Sequence, residues 1–224
     1  MQWLSQTEQR RLAGIAAQRR RDQFLAGRWL ARLALTARHG GAPQDWRLTA
    51  PADAAPRVAS GPVEHPSAIG LSHSGDTVAC VLADAAPGID IERHLRHALD
   101  VGGLADVALS DAERVLWLAL PESERRVGLL TWWTLKEAWL KSRGRTLDIA
   151  TLRRIEALPT NATKANARLW HEADFTLALV GLDAAAPLHV ASPDPRSLPQ
   201  WWQITEVIPP PRPAARLQTG PLPR

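Results

Sequence analysis

Two acidic residues stand two positions apart in the segment Gly88–Glu92, whose sequence is GIDIE. On a β-strand, residues two apart point to the same face, so Asp90 and Glu92 would project together while the isoleucines point to the core. Neighbouring carboxylates repel each other unless a cation or a proton lies between them, and their oxygens suit Mg²⁺. The alternative is an exposed strand edge with alternating polar residues.

A second charged pair lies in the apolar, tryptophan-bearing segment Trp132–Lys141. Glu137 and Lys141 are one helical turn apart, in the order that stabilises a helix by about 0.2–0.5 kcal/mol. Such an ion pair would explain the two charges. It would not explain their place among apolar residues, because buried charge is costly unless it is paired, metal-bound or functional. The segment alone leaves both interpretations open.

Two other segments carry groups that bind anions. The sequence LSHSG at residues 71–75 predicts a tight polar turn, whose backbone amides and histidine, His73, would suit a phosphate. Along the first predicted helix, Arg21, Arg28 and Arg32 recur at spacings that place them roughly on one face. The alternatives are a solvated turn and a solvated basic face.

These residues require a scaffold of helices and strands. Apolar residues at three- and four-residue spacing predict a helix over residues 7–38, and Ser110 with Glu113 forms the capping pattern of a later helix start. Runs of β-branched and apolar residues predict strands. The predicted strands lie near 77–83, 88–91, 152–157, 167–171, 175–182 and 201–207, and further helices cover 112–120 and 125–143.

Two similar segments indicate an internal duplication. Each has an aspartate, an apolar strand, a second aspartate, alanines and a proline: Asp76–Pro87 and, about 100 residues later, Asp174–Pro187. The pattern predicts two similar α+β halves, which we place at residues 1–98 and 99–191. Residues 192–224 are rich in proline and are predicted to form a tail with one docking strand.

The composition is that of a globular domain. Of the 224 residues, 45% are hydrophobic and 22% are charged, which excludes a disordered or membrane-embedded class. One cysteine, Cys80, excludes an internal disulfide and a cysteine-rich zinc site. The N-terminal segment lacks the apolar stretch of a secretory signal, so a cytoplasmic protein is expected. The net charge of +4 favours anionic partners.

Taken in order, the basic helix, SHSG, GIDIE and WWTLKEAWLK resemble the 4′-phosphopantetheinyl transferase superfamily, in the long branch typified by the surfactin-synthetase activator. That family has a G-[IV]-D-x-E strand followed about 40 residues later by W-x-x-K-E-[AS]-x-x-K. Gly88–Glu92 and Trp133–Lys141 fit this signature without a gap. The resemblance extends loosely over residues 10–183 and is sharp over 71–145. It implies an α+β fold built from a pseudo-twofold pair of similar subdomains.

The resemblance also implies an activity: the phosphopantetheine arm of coenzyme A would be transferred to a serine of a carrier protein, leaving 3′,5′-adenosine bisphosphate. Mg²⁺, with Mn²⁺ as an alternative, would be held by Asp90, Glu92 and Glu137, and Glu113 would lie near the metal. The base would be Glu137, directly or through a water, or Lys141. Coenzyme A would be bound by Arg21, Arg28, Arg57, Ser72, His73, Lys136 and Lys141.

The implied partner is an acidic acyl or peptidyl carrier protein that docks near Val101–Leu109, and an internally duplicated chain is expected to be a monomer. One rival is a Mg²⁺-dependent phosphohydrolase or nuclease using the same carboxylates. Another is a basic nucleic-acid-binding protein, but no tryptophan lies within the Arg19–Arg21 cluster and the later tryptophans suit a core. A third is a relative that binds coenzyme A without transfer. We expect neither a nucleic-acid nor a membrane partner.

Overall fold

The computed structural model describes residues 2–51, 54–64, 67–94, 100–181 and 197–207. Part of the second duplicated segment, Asp183–Pro187, and the tail beyond residue 207 lie outside these residues. Among the described residues, no helix is both long and apolar enough to cross a bilayer.

The residues described up to Ala83 form two helices, a short 3-10 turn at Pro43–Asp45 and four strands. They are α1 (Gln6–Ala13), α2 (Gln18–His39), β1 (Arg47–Leu48), β2 (Val58–Ser60), β3 (Ala68–Ser74) and β4 (Thr77–Ala83).

The single helix predicted over residues 7–38 is wrong, because the structure divides it into α1 and α2. Ser5 and Glu8 form a complete capping box at the start of α1, and Gly14 ends that helix. The guanidinium of Arg21 on α2 donates to the carbonyls of Leu12 and Ile15. Carbonyls at a helix end have no partner within the helix, so Arg21 stabilises the break between the two helices.

The turn predicted at residues 71–75 is also wrong in its position. Residues 71–74 belong to β3, which pairs in continuous register with β4 from Ala68 opposite Ala83 to Ser74 opposite Thr77. The chain reverses at Gly75, whose φ of +63° is a left-handed conformation that glycine adopts without strain. Because residues two apart on a strand share a face, Ser72 and Ser74 point together.

The residues described from Gly88 onward form four helices, a short 3-10 turn at Glu122–Glu124 and five strands. They are β5 (Gly88–Arg93), α3 (Val101–Ala108), α4 (Asp111–Leu118), α5 (Arg125–Ser142), α6 (Ile149–Leu152), β6 (Ile155–Pro159), β7 (Ala167–His171), β8 (Phe175–Val180) and β9 (Gln200–Glu206).

The strands form two small sheets, β1–β2 and β3–β4, and one antiparallel five-stranded sheet in the order β5-β8-β7-β9-β6. The predicted last strand is confirmed as β9, which pairs with both β6 and β7. Strand β5 lies at the edge of the large sheet and packs against β3 and α5. GIDIE is therefore at the junction of the two main sheets.

Helix α5 forms the centre of the larger hydrophobic core, where Leu135, Ala138 and Leu140 pack against α3 and the five-stranded sheet. Trp132 and Trp139 are buried in the same cluster. The prediction that these tryptophans belong to the core is confirmed. A second, smaller core lies between α2 and the β3–β4 hairpin and contains Trp46.

The mixed α+β fold class is confirmed, with helices packed on antiparallel sheets. The two duplicated strands, β4 and β8, are each the second strand of an antiparallel hairpin, β3–β4 and β7–β8. Strand β5 lies before the boundary predicted at residue 98 but pairs with β8 beyond it. The division into halves at that residue stays a prediction.

Candidate active site

A cleft of about 1230 Å³ opens between α2, the β3–β4 hairpin and the C-terminal end of α5. Its walls combine apolar side chains such as Phe24 and Leu71 with several cations and His73. The cations that line it are Arg10, Arg11, Arg20, Arg28, Arg57, Lys141 and Arg145. A concave surface lined by so many cations suits a polyanionic ligand with an apolar portion.

Asp90 lies behind the wall of this cleft, hydrogen-bonded to the lining residues Ser72 and Lys141, and is only 2% exposed. Its Oδ1 accepts hydrogen bonds from Ser72 Oγ at 2.8 Å and Lys141 Nζ at 2.5 Å, while its Oδ2 is buried and has no hydrogen-bond partner among the residues that the structure describes. Burial raises the pKa of Asp90, and Lys141 and Ser72 oppose this effect. A buried polar atom normally has a partner, so Oδ2 has the capacity for one more ligand.

Glu92 is half-buried beside Asp90. Its Oε2 accepts a hydrogen bond from Ser74 Oγ at 2.7 Å. Burial and the negative charge of Asp90 raise the pKa of Glu92, while the bond from Ser74, the charge of Lys141 and the nearby Trp133 side chain lower it. The prediction that the two carboxylates project together is confirmed. The positive charge around them does not offset the effect of their burial, so the pKa of each is raised.

Glu137 reaches the same region from α5. Burial, followed by the negative charge of Asp90, raises its pKa to about 7 from the ordinary 4.5. Lys141 is one turn away, with Nζ 3.6 Å from Glu137 Oε2, and the Trp133 side chain lies near both glutamates and lowers the pKa of each. A carboxyl group with a pKa near neutrality can both accept and release a proton at physiological pH.

Lys141 connects the acidic group to the cleft. Its Nζ donates to Asp90 and to Ser72 Oγ at 3.1 Å, and the side chain is 35% exposed toward the cleft. The Glu137–Lys141 pair is therefore more than a helix ion pair, because Lys141 has a nearer, buried carboxylate partner in Asp90.

Glu113 and Lys136 are not part of this group. Lys136 Nζ is completely buried and donates to Glu113, to the Ala108 carbonyl and to the Leu152 carbonyl. Both oxygens of Glu113 are engaged, one with Lys136 and the other with the backbone N–H of Ala157. The expected roles of Glu113 near a metal and of Lys136 on a phosphate are therefore corrected to one structural ion pair.

The helix arginines are also divided between roles. Arg21 holds the break between α1 and α2 and does not line the cleft, which corrects its expected contact with coenzyme A. Arg28 lines the cleft but is mostly buried, donating to the Thr49 carbonyl, and burial lowers its pKa to about 10. Arg32 is fully buried in an ion pair with Glu8, so the three arginines do not share one exposed face.

His73 and Arg57 remain open to the cleft. The guanidinium of Arg20 contacts the His73 ring, and desolvation together with the charges of Arg20 and Lys141 lowers the pKa of His73. Ser72, by contrast, is buried, and its hydroxyl is engaged by Asp90, Lys141 and the Ile91 amide. Of the two residues, His73 is the one whose side chain is exposed at the cleft, and anion binding by either stays a prediction.

Several contributors were missed in the sequence. Arg20 stands in the Arg19–Arg21 cluster, but helical spacing pointed to its neighbour. Ser74 and Trp133 were within the motifs, and only the structure shows that Ser74 bonds Glu92 and that Trp133 lies near it. Arg10, Arg11 and Arg145 belong to no motif recognised in the sequence, and only the packing of the folded chain places them on the cleft wall.

The carboxylates of this site could supply oxygen ligands to a divalent cation without enclosing it. Within the described ranges, no three His, Cys, Asp or Glu side chains are arranged to hold a metal as they stand. The orphaned Oδ2 of Asp90 and the mutual repulsion among Asp90, Glu92 and Glu137 nevertheless suit a hard cation such as Mg²⁺.

Residues 86–191 match the family model of the 4′-phosphopantetheinyl transferase superfamily. The matched range contains all three clustered carboxylates, Asp90, Glu92 and Glu137, together with Lys141. No protein of curated function matches the sequence significantly.

Proposed function

Through residues 86–191 the chain belongs to the 4′-phosphopantetheinyl transferase superfamily, and from that premise we propose a Mg²⁺-dependent activity. The enzyme would transfer the 4′-phosphopantetheine arm of coenzyme A to a serine of an acyl or peptidyl carrier protein and release 3′,5′-adenosine bisphosphate. Membership of the family implies a transferase of this type. The observation that supports the finer proposal is the buried carboxylate Asp90, joined by Lys141 to an arginine-lined cleft.

The cations of the cleft would hold the phosphates of coenzyme A. His73 with Arg20, and Arg57 on the rim, present donors without a buried acidic partner, and guanidinium groups bind phosphate with two parallel hydrogen bonds. Arg28 would contact the bound phosphates from the cleft wall, where its guanidinium also donates to the Thr49 carbonyl. The apolar part of the wall would cover the remainder of the ligand.

Mg²⁺ would be held by Asp90 through its free Oδ2, with Glu92 and Glu137 as further donors, and would neutralise charge that grows on the pyrophosphate. Lys141 would bring a second positive charge from the protein itself. Positioning and charge neutralisation account for most of the catalysis of phosphoryl transfer.

In the transfer step, the carrier serine Oγ bonds to the β-phosphorus, and the bond from that phosphorus to the bridging oxygen breaks. The leaving group takes the bond electrons as 3′,5′-adenosine bisphosphate. The serine proton would pass to Glu137, directly or through one water, as general-base catalysis requires a proton acceptor within hydrogen-bond reach of the attacking hydroxyl. Lys141 would steady the phosphate and is the alternative acceptor.

We further propose that the chain belongs to the long, two-subdomain branch of the family, works as a monomer in the cytoplasm, and meets an acidic carrier near Val101–Leu109. The net charge of +4 would favour encounter with an acidic partner.

The test is incubation of the protein with coenzyme A, Mg²⁺ and an apo carrier protein, followed by intact-mass spectrometry of the carrier. A mass gain of one phosphopantetheine supports the proposal, with Mg²⁺ omission and Glu137→Gln as controls. Release of phosphate from coenzyme A without carrier modification would instead indicate a hydrolase. Neither reaction, together with salt-dependent DNA binding, would indicate a nucleic-acid-binding protein.

A further inference from the structure

Strands β3 and β5 are joined by side chains rather than by a backbone ladder. In the described part of the chain, β3 pairs with β4 alone, and β5, at the edge of the five-stranded sheet, pairs with β8 alone. Two backbone amides of β5 nevertheless find acceptors on β3: Ile91 N donates to Ser72 Oγ at 3.3 Å, and Arg93 N donates to Ser74 Oγ at 3.1 Å.

The same two hydroxyls also bind the acidic side chains. Ser72 Oγ donates to Asp90 Oδ1 at 2.8 Å, and Ser74 Oγ donates to Glu92 Oε2 at 2.7 Å. Each serine thus hydrogen-bonds one acidic side chain and the backbone amide of the residue that follows it. The arrangement repeats with a shift of two residues on both strands, which is the spacing of side chains on one face.

A hydroxyl has one proton to donate, and each serine donates it to a carboxylate. For Ser72 the two acceptor positions are taken by the Ile91 amide and by Lys141 Nζ at 3.1 Å. Both serines are buried, at 5% and 9% exposure, so water does not compete freely for these bonds. Strand β3 therefore helps to orient each carboxylate, together with Lys141 at Asp90.

We infer that Ser72 and Ser74 are positioning residues, a serine pair that holds Asp90 and Glu92 in the orientation needed to bind the divalent cation. This inference rests on the proposed function, and it assigns the hydroxyls a role other than contact with the phosphates of coenzyme A. Ser74 is the more informative member for a test: among the described residues it hydrogen-bonds Glu92 and the Arg93 amide, whereas Lys141 bonds Ser72.

The first measurement does not depend on the function. Backbone amide hydrogen exchange, followed by NMR, should speed up at Arg93 but not at Ile91 in Ser74→Ala, and the reverse should hold in Ser72→Ala. Ser74→Thr keeps a hydroxyl and should restore protection. Unchanged exchange at Arg93 in Ser74→Ala would overturn the inference.

The second measurement is Mg²⁺ affinity by calorimetry in the presence of coenzyme A. Loss of a residue that orients a metal ligand typically weakens metal binding by about 10–100-fold, and we expect a loss in this range for Ser74→Ala, with recovery in Ser74→Thr. The matched control is Thr77→Val, which removes the hydroxyl of the residue opposite Ser74 in the register and should leave affinity unchanged.

A double-mutant cycle separates positioning from a general loss of structure. If Ser74 acts through Glu92, Ser74→Ala should weaken Mg²⁺ binding no further when Glu92→Gln is already present. Should Ser74→Ala fail to fold, Ser74→Cys, which keeps a weak donor, takes its place in the cycle with an intermediate loss expected.

The outcomes distinguish this inference from the proposed function. If the wild type modifies the carrier and binds Mg²⁺ while Ser74→Ala binds it equally well, the inference is overturned and the function stands. If the wild type binds no Mg²⁺ at all, both the function and this role of the serine pair are overturned.

Discussion

A Cβ atom placed on Gly88 would lie 1.8 Å from the carbonyl oxygen of Ala138. Gly88 begins β5 two residues before Asp90, and Ala138 follows Glu137 on α5. The backbones of the strand and the helix thus touch at this point. This contact brings Asp90 close enough to Glu137 for its negative charge to raise the pKa of Glu137. The glycine of GIDIE is required by this close approach.

Gly88→Ala should consequently destabilise the protein by about 3 kcal/mol or more, at the upper end of the range for overpacked sites, because the obstructing atom is backbone. The free energy of unfolding in urea measures this. Gly102→Ala is the control: its nearest contact would be an ordinary 3.7 Å to Asp100, and alanine stabilises a helix relative to glycine. Equal stability of the Gly88 variant and the wild type would show that strand and helix are not in contact.

Glu137→Gln and Asp90→Ala should each lower the rate of carrier modification by at least about 100-fold, a typical contribution of a positioned acid–base group, while circular dichroism shows a folded protein. Exposed Glu122→Gln serves as the matched control. Near-normal turnover in both site variants would place the reaction elsewhere on the molecule.

The raised pKa of Glu137 also predicts a pH dependence of stability. Between the ordinary pKa of 4.5 and the folded value of about 7, the folded protein holds a proton that the unfolded chain has released. Stability contributed by this group is therefore lost as the pH rises through that interval. Glu137→Gln should unfold with a free energy up to about 3 kcal/mol higher than wild type at pH 8, and the difference should vanish near pH 4. A difference independent of pH would contradict the assignment.

The Glu113–Lys136 pair should behave as structure and not as part of the site. Lys136→Met leaves the buried Glu113 without its charged partner, which typically destabilises a protein by about 3–5 kcal/mol. Adding Glu113→Gln should recover much of this loss in urea denaturation. Affinity for coenzyme A should be unchanged in the folded double variant, and a clear fall in that affinity would restore the phosphate-binding role expected from the sequence.

Arg20 and Arg21 should have opposite phenotypes. Arg20→Ala should weaken coenzyme A binding about 10-fold or more, as expected for a charge-assisted contact, because Arg20 lies in the cleft against His73. Arg21→Ala should lower stability by opening the junction of α1 and α2 and leave affinity unchanged. Titration with coenzyme A and with its dephospho form shows whether the 3′-phosphate is the group bound, and a binding loss confined to Arg21→Ala would reverse the assignment.

Much of the scaffold could be predicted because local sequence decides it. The alternation in GIDIE predicted that Asp90 and Glu92 share a face, and Ser110 with Glu113 predicted a helix start that the structure confirms as a capping box. These signals depend only on residues a few positions apart. The first helix was predicted too long because Gly14 alone is a weak stop, and the bonds from Arg21 that stabilise the break join residues six and nine positions apart.

What only the tertiary structure decided is which charged groups meet. Lys136 and Lys141 lie on one helix, yet Lys136 is enclosed by α3, α4 and α6 whereas Lys141 reaches across to β5. Helical periodicity shows that they point in different directions, but the elements that cover each direction come from far along the chain. The acidic motif could thus be predicted from local sequence, whereas the partners that orient and neutralise it are determined by packing between residues far apart in the chain.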